Sequence, residues 1–76
     1  MSTKAFMLIE TETGRAEEVV ATLRKYSQIK SVDAVTGPYD VIAVVEQEDI
    51  SFIGKLVATE IPNINSICCT QVSVCI

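Results

Sequence analysis

The chain has 76 residues, 49% of them hydrophobic, and a formal net charge of −4, which allows one domain around one small core. It contains no His, which excludes His-ligated zinc, Cys–His nucleophile pairs and Ser–His–Asp triads within one chain. Six Lys and Arg against ten Asp and Glu argue against a direct nucleic-acid partner, and no stretch reads as a bilayer span or a signal peptide.

Lys4 to Glu10 is a short apolar run closed by Thr11-Glu12-Thr13-Gly14, which predicts a first strand. From Arg15 to Tyr26 the period changes: Ala16, Val19, Val20, Leu23 and Tyr26 fall on one helical face. Glu17 and Glu18 at its start and Arg24-Lys25 at its end match the helix dipole. Ile29 to Thr36 and Tyr39 to Glu46 are β-rich, and Gly37-Pro38 between them is a tight reversal, so the two pair as a hairpin. Asp49 is the expected N-cap of a second helix with Ile50, Ile53, Leu56, Val57 and Ile61 on one side, stopped by Pro62. Ile64 to Ile76 closes the chain as a strand, with Val72, Val74 and Ile76 alternating with Gln71, Ser73 and Cys75.

The order is β-α-β-β-α-β. At a shift of about 35 residues, Ser27 to Val32 echoes Pro62 to Ile67, each following a helix that follows a strand. Two β-α-β units joined by a hairpin make an α+β, ferredoxin-like plait, a four-stranded antiparallel sheet with both helices on one face. The uncovered face should then be polar at alternate positions, yet Phe6 and Leu8 oppose Met7 and Ile9, and Ile42 and Val44 oppose Val41, Ala43 and Val45. Both faces of the sheet centre are apolar, which predicts dimerisation sheet to sheet.

That device suits a chain lacking the others. Cys68, Cys69 and Cys75 are odd in number and confined to the last nine residues. On a regular strand Cys68 and Cys69 point to opposite faces, and Cys69 and Cys75 stand roughly 20 Å apart, which no intrachain disulfide spans. They read as buried, reduced apolar fillers, with no metal and no cofactor expected, in a cytoplasmic protein.

Gly37-Pro38-Tyr39-Asp40 combines a forced turn, an aromatic hydroxyl and a carboxylate. Spacing leaves two readings open, a turn closed by a capping Asp or a carboxylate offered to an ammonium group. The run Val35 to Ile42 resembles the central signature of the regulation-of-amino-acid-metabolism (RAM) domain, the effector-binding half of the Lrp/AsnC family of transcription regulators. Ala5 to Ile9, the acidic start of the first helix, Asp49, and Ile61-Pro62-Asn63-Ile64 in place of a typical Ile-Pro-Gly-Val agree with it over essentially the whole chain. The resemblance implies dimers assembling into octamers or similar rings, and an amino-acid effector bound between dimers at the turn before the third strand. Carried over by position, the ligand-binding residues are Thr36, Gly37, Tyr39 and Asp40, with Cys69 and Thr70 on the wall formed by the last strand. Asp40 would meet the effector's ammonium group and Gly37 would let backbone approach closely.

Two departures shape the expectation. The first strand begins within a few residues of Met1, so residues 1–76 read as a single RAM-type domain without the family's helix-turn-helix. Many members carry two Thr on one face of the last strand where this chain has Ile67 and Cys69, which implies a pocket for an apolar side chain or one that has lost its ligand. The expected function is an effector-binding and oligomerisation module, not an enzyme, that modulates full-length Lrp/AsnC regulators. A purely structural assembly partner without ligand is the alternative, and a small dimeric isomerase or cofactor-free monooxygenase a more distant one.

Overall fold

A computed structural model of the chain describes residues 2–75. Strand β1 (Thr3–Thr11) is followed by helix α1 (Ala16–Leu23), strands β2 (Ile29–Ala34) and β3 (Val41–Gln47), helix α2 (Ile50–Lys55) and strand β4 (Ile67–Val74). The sheet is antiparallel in the order β2-β3-β1-β4, which puts the two most apolar strands at its centre and is the expected plait. No helix among the described residues is long and apolar enough to cross a membrane.

Strand parity builds the core. Ala5, Met7 and Ile9 of β1 lie in register with Val45, Ala43 and Val41 of β3, and all six are fully buried. Val19, Val20 and Leu23 of α1, and Ile53, Leu56 and Ile61 from the second helical segment, cover them. No polar or charged side chain is buried among them, so the core is held by apolar burial at about 25 cal/mol per Å² and by close packing.

Each helix is shorter than its sequence pattern. Past Leu23, Lys25 N–H donates to the Thr22 carbonyl at 3.2 Å and Tyr26 N–H to the Leu23 carbonyl at 3.1 Å, so the chain tightens into a three-residue turn while Tyr26 still packs on the core. Arg24 and Lys25 thus stand at and beyond the helix end rather than in its last turn. Asp49 does cap α2, its side chain accepting from Ser51 N–H at 3.0 Å. After Lys55, however, the helix widens into a π-turn (Leu56–Glu60) and then a 3-10 turn (Ile61–Asn63). The Thr59 hydroxyl donates to the Lys55 carbonyl at 2.6 Å and Asn63 Nδ2 to the Thr59 carbonyl at 2.7 Å, and both compete with the backbone for acceptors four residues back. Pro62 sits in the first turn of the 3-10 segment, where its missing N–H costs little, instead of acting as the stop. Ile50, expected on the packed side of α2, is its first residue and is 55% exposed.

The other sheet face is uncovered. Phe6 and Leu8 of β1 pair with Val44 and Ile42 of β3, forming an apolar stripe down the centre. Ser31 and Asp33 of β2 flank it on one side, and Gln71 and Ser73 of β4 on the other. Phe6 is 36% exposed and carries the Lys4 ammonium 5.4 Å from its ring centroid. The expected excess of apolar side chains therefore lies on the even-numbered positions, 6, 8, 42 and 44. The aligned isoleucines of the internal echo, Ile29 and Ile64, both pack against the core, although Ile29 opens β2 whereas Ile64 precedes β4 by three residues. Ile76, expected in the last strand, lies outside the described residues.

In denaturant unfolding, Leu23→Ala is expected to lower stability by about 3 kcal/mol through loss of buried methyls and the cavity left behind. Asp49→Ala, which removes only the α2 cap, should cost about 1 kcal/mol.

Candidate functional site

The C-terminal end of β1 is where the sequence-predicted residues meet. Asp40 N–H donates to the Ile9 carbonyl at 2.9 Å, and the Asp40 carbonyl accepts from Val35 N–H at 2.8 Å. Its side chain goes further: Oδ2 accepts from Thr11 N–H at 2.9 Å in a half-buried setting. Asp40 thus extends the β1–β3 ladder by one rung made with a carboxylate, the capping reading of this residue. A carboxylate offers about four acceptor positions, so the rung leaves Asp40 with capacity for another donor.

The loop before it needs its glycine for backbone reasons. Gly37 has φ +129°, a region L side chains rarely adopt, and a Cβ there would meet open space. Thr36 and Gly37 are exposed at the loop tip, and Tyr39 folds back half-buried. The Tyr39 hydroxyl donates to Gln71 Oε1, tying the β2–β3 loop to β4 across the end of β1.

β4 supplies the wall. Cys69 lies opposite Glu10, and Thr70 opposite Ile9. Ile9 is fully buried under the helices, so Thr70 belongs to the helix side of the sheet and Cys69 to the open side. At this corner of the sheet Tyr39 reaches the open side through Gln71 and Asp40 closes the end of β1 at Thr11, while Cys69 stands on the open side opposite Glu10. Thr70 is turned to the helix side, and Thr36 and Gly37 are exposed at the loop tip.

Two expectations about the cysteines and their neighbour fail. Cys68, Cys69 and Cys75 are all exposed, not buried fillers, because β4 is an edge strand. Ile67 and Cys69 do not share a face, nor do Cys68 and Cys69 oppose each other. The register steps from Glu10↔Cys69 to Thr11↔Ile67, a β-bulge that gives Cys68 no partner of its own. Ile67 is consequently drawn under the helices, half-buried against the core.

Glu10, Thr11 and Gln71 complete the corner and were not singled out from the sequence. Glu10 continues the even-numbered face of Phe6 and Leu8, a signal that parity alone contains. Gln71 and Thr11 are recruited by loop reach and a backbone N–H, for which the residue pattern holds no sign. Glu10 immediately precedes the Thr11 N–H that donates to Asp40, so the end of β1 carries two acidic residues, and the ion pair formed among the described residues, Arg15 to Glu18 at 3.1 Å, lies elsewhere. Such a corner favours a cationic group with N–H donors, such as an ammonium. An apolar groove of about 300 Å³ lies apart from it, between α2 and β4, lined by Ile50, Ile53, Val57, Val72 and Val74.

The family model of the Lrp/AsnC ligand binding domain matches residues 4–76. Among solved structures, a hypothetical protein from Pyrococcus horikoshii superposes with a TM-score of 0.91 at 27% identity, over 97% of this chain and 89% of that one. A protein from Thermus thermophilus gives 0.91 at 26% identity, over 97% and 92%. A transcriptional regulator from Neisseria meningitidis, solved as a complex with L-Met, gives 0.86 at 21% identity, and the match spans 97% of this chain but 49% of the regulator. No curated protein sequence matches the chain.

Removing the side-chain rung with Asp40→Ala should destabilise the fold by about 1–3 kcal/mol, since Thr11 N–H loses a charged acceptor. Asp40→Asn, whose amide oxygen can still accept, should recover most of that loss in the same unfolding experiment.

Proposed function

The chain belongs to the Lrp/AsnC ligand-binding domain family, and from that premise we propose that it is a regulatory module that binds an amino acid and assembles through its open sheet face. It acts without catalysis, modulating transcription regulators of the same family by co-assembly. The observation that carries this reading is that the 36–40 loop is tied to the end of β1 by Asp40 and to β4 by Tyr39, next to Glu10 and its β4 partner Cys69, on the rim of an uncovered apolar stripe. The stripe supplies the association surface, two sheets packing with Phe6, Leu8, Ile42 and Val44 between them. The corner supplies the recognition chemistry, with Asp40 accepting from the effector's ammonium group and the wall at Cys69 meeting its side chain.

In one chain this corner is open surface, so a ligand there is enclosed only when a second dimer closes over the loop at 36–40. Ligand binding then favours the larger assembly by linkage: a ligand that contacts both dimers stabilises the state that contains both. The Neisseria meningitidis regulator's L-Met complex supports an amino acid as the effector class. One observation favours the alternative of a structural partner without ligand. Tyr39 and Asp40 are each already engaged, with Gln71 and Thr11 N–H.

A thermal-shift and sedimentation panel over the twenty amino acids separates the two. An effector at about a hundred times its Kd should add about 2.7 kcal/mol of stability and raise the sedimenting mass, and Asp40→Asn should weaken both effects. If no amino acid moves either quantity, the structural-partner reading replaces this one. Val44→Asp should yield a monomer at micromolar concentration, whereas a wild-type chain already monomeric there would remove the stripe as an interface.

A further inference from the structure

The bulge in β4 gives its adjacent cysteines a geometry that a regular strand forbids. Ile67 lies opposite Thr11 and packs on the core, and Thr70 lies opposite buried Ile9, so both belong to the helix side of the sheet. The two residues between them, Cys68 and Cys69, are left together on the open side, and both are exposed. On an unbulged strand they would alternate faces. Here the bulge leaves two exposed thiols of adjacent residues on one side of the sheet, so that side-chain rotation can turn both sulfurs toward one atom. As β4 is an edge strand, no further strand covers them.

We infer that Cys68 and Cys69 form a vicinal dithiol site for a soft, thiophilic centre satisfied by two thiolates, of the trivalent-arsenic or monovalent-copper class. The surrounding residues select that class. No group of three or more His, Cys, Asp or Glu able to hold a metal exists among the described residues, so tetrahedral zinc lacks its ligands. Two sulfurs without a third donor suit centres that prefer thiolates and low coordination. With an organoarsenous acid, two S–H groups exchange with two As–OH groups: two As–S bonds form, two waters leave, and arsenic stays trivalent. With monovalent copper the two thiols release their protons to solvent and no electron moves. Cys75, six residues beyond Cys69 on an extended strand, takes no part. The site does not depend on the amino-acid reading and is tested without any amino acid present.

The test uses the full chain, fully reduced, with an aromatic disulfide reagent that counts free thiols. All three cysteines should titrate before addition. One equivalent of phenylarsine oxide should leave a single reactive thiol per chain and add one arsenical to the intact mass. Cys75→Ser should retain the arsenical as the wild type does. Cys68→Ser and Cys69→Ser should each weaken retention about 100-fold or more, because closure by the second sulfur is intramolecular. Since all three positions are exposed, these variants should keep the wild-type circular dichroism, and Cys68→Ala repeats the measurement without a hydroxyl. In a parallel arm, monovalent copper is competed against a chromogenic chelator. Copper retained by the wild type and lost in Cys68→Ser assigns the site to both centres, and retention of the arsenical alone restricts it to trivalent arsenic. Two or three thiols still titrating after the arsenical, or equal loss of retention in Cys75→Ser, would overturn the proposal.

Discussion

The central strands β1 and β3 are apolar on both faces, and two short helices can cover only one. Met7, Ile9, Val41 and Val45 are satisfied within the chain by Leu23, Ile53 and their neighbours. Phe6, Leu8, Ile42 and Val44 on the reverse side are not. In a domain this small the surface-to-volume ratio leaves little core to spare, so the second face determines whether the fold has adequate stability on its own or in company. Everything placed around that stripe, including the polar edges on β2 and β4, follows from the need to bound an apolar surface that the chain cannot bury by itself.

Much of the fold was legible because it depends on period and parity. The continuous apolar runs of β1 and β3 and the helical spacing of Val19, Val20 and Leu23 required no knowledge of neighbours, and neither did the Asp49 cap. The parts that were not legible depend on competition between equivalent hydrogen-bond acceptors. Thr59 and Asn63 turn their side chains back onto carbonyls four residues earlier, a choice the residue pattern does not announce, within the stretch where the predicted helix becomes π and 3-10 turns. Pro62 then changes meaning, from a terminator to a tolerated first-turn residue.

The corner divides in the same way. Asp40 and Tyr39 were conspicuous because of their residue types beside a Gly-Pro turn, but their partners were not. Thr11 contributes a backbone N–H and Gln71 an amide oxygen, and neither group has a signature in sequence. The two readings of Asp40 are compatible in structure, since the carboxylate that closes the β1–β3 ladder keeps acceptor capacity for a ligand. Using one carboxylate for both tasks ties a ligand at Asp40 to the end of β1, and through Glu10 and its partner Cys69 to the bulge in β4.

The bulge itself is the element with the greatest leverage per residue. Parity arguments assume an unbroken ladder, and one unpaired residue reverses every face assignment on one side of it. In β4 the inserted residue lies between Ile67 and Cys69, so counting back from Val72 places Cys69 correctly but puts Ile67 on the wrong side of the sheet. The physical gain is visible at both ends of the slip. Ile67 is drawn against the core, where a large aliphatic side chain is best placed, while two small, polarisable thiols take the exposed positions at the rim. Had the strand continued in register, either Ile67 would face solvent or Thr70 and Val72 would lose their places opposite Ile9 and Met7. Burying an isoleucine on one side of an irregularity thus fixes the paired exposure of Cys68 and Cys69 on the other, and a packing requirement sets the chemistry of the sheet edge.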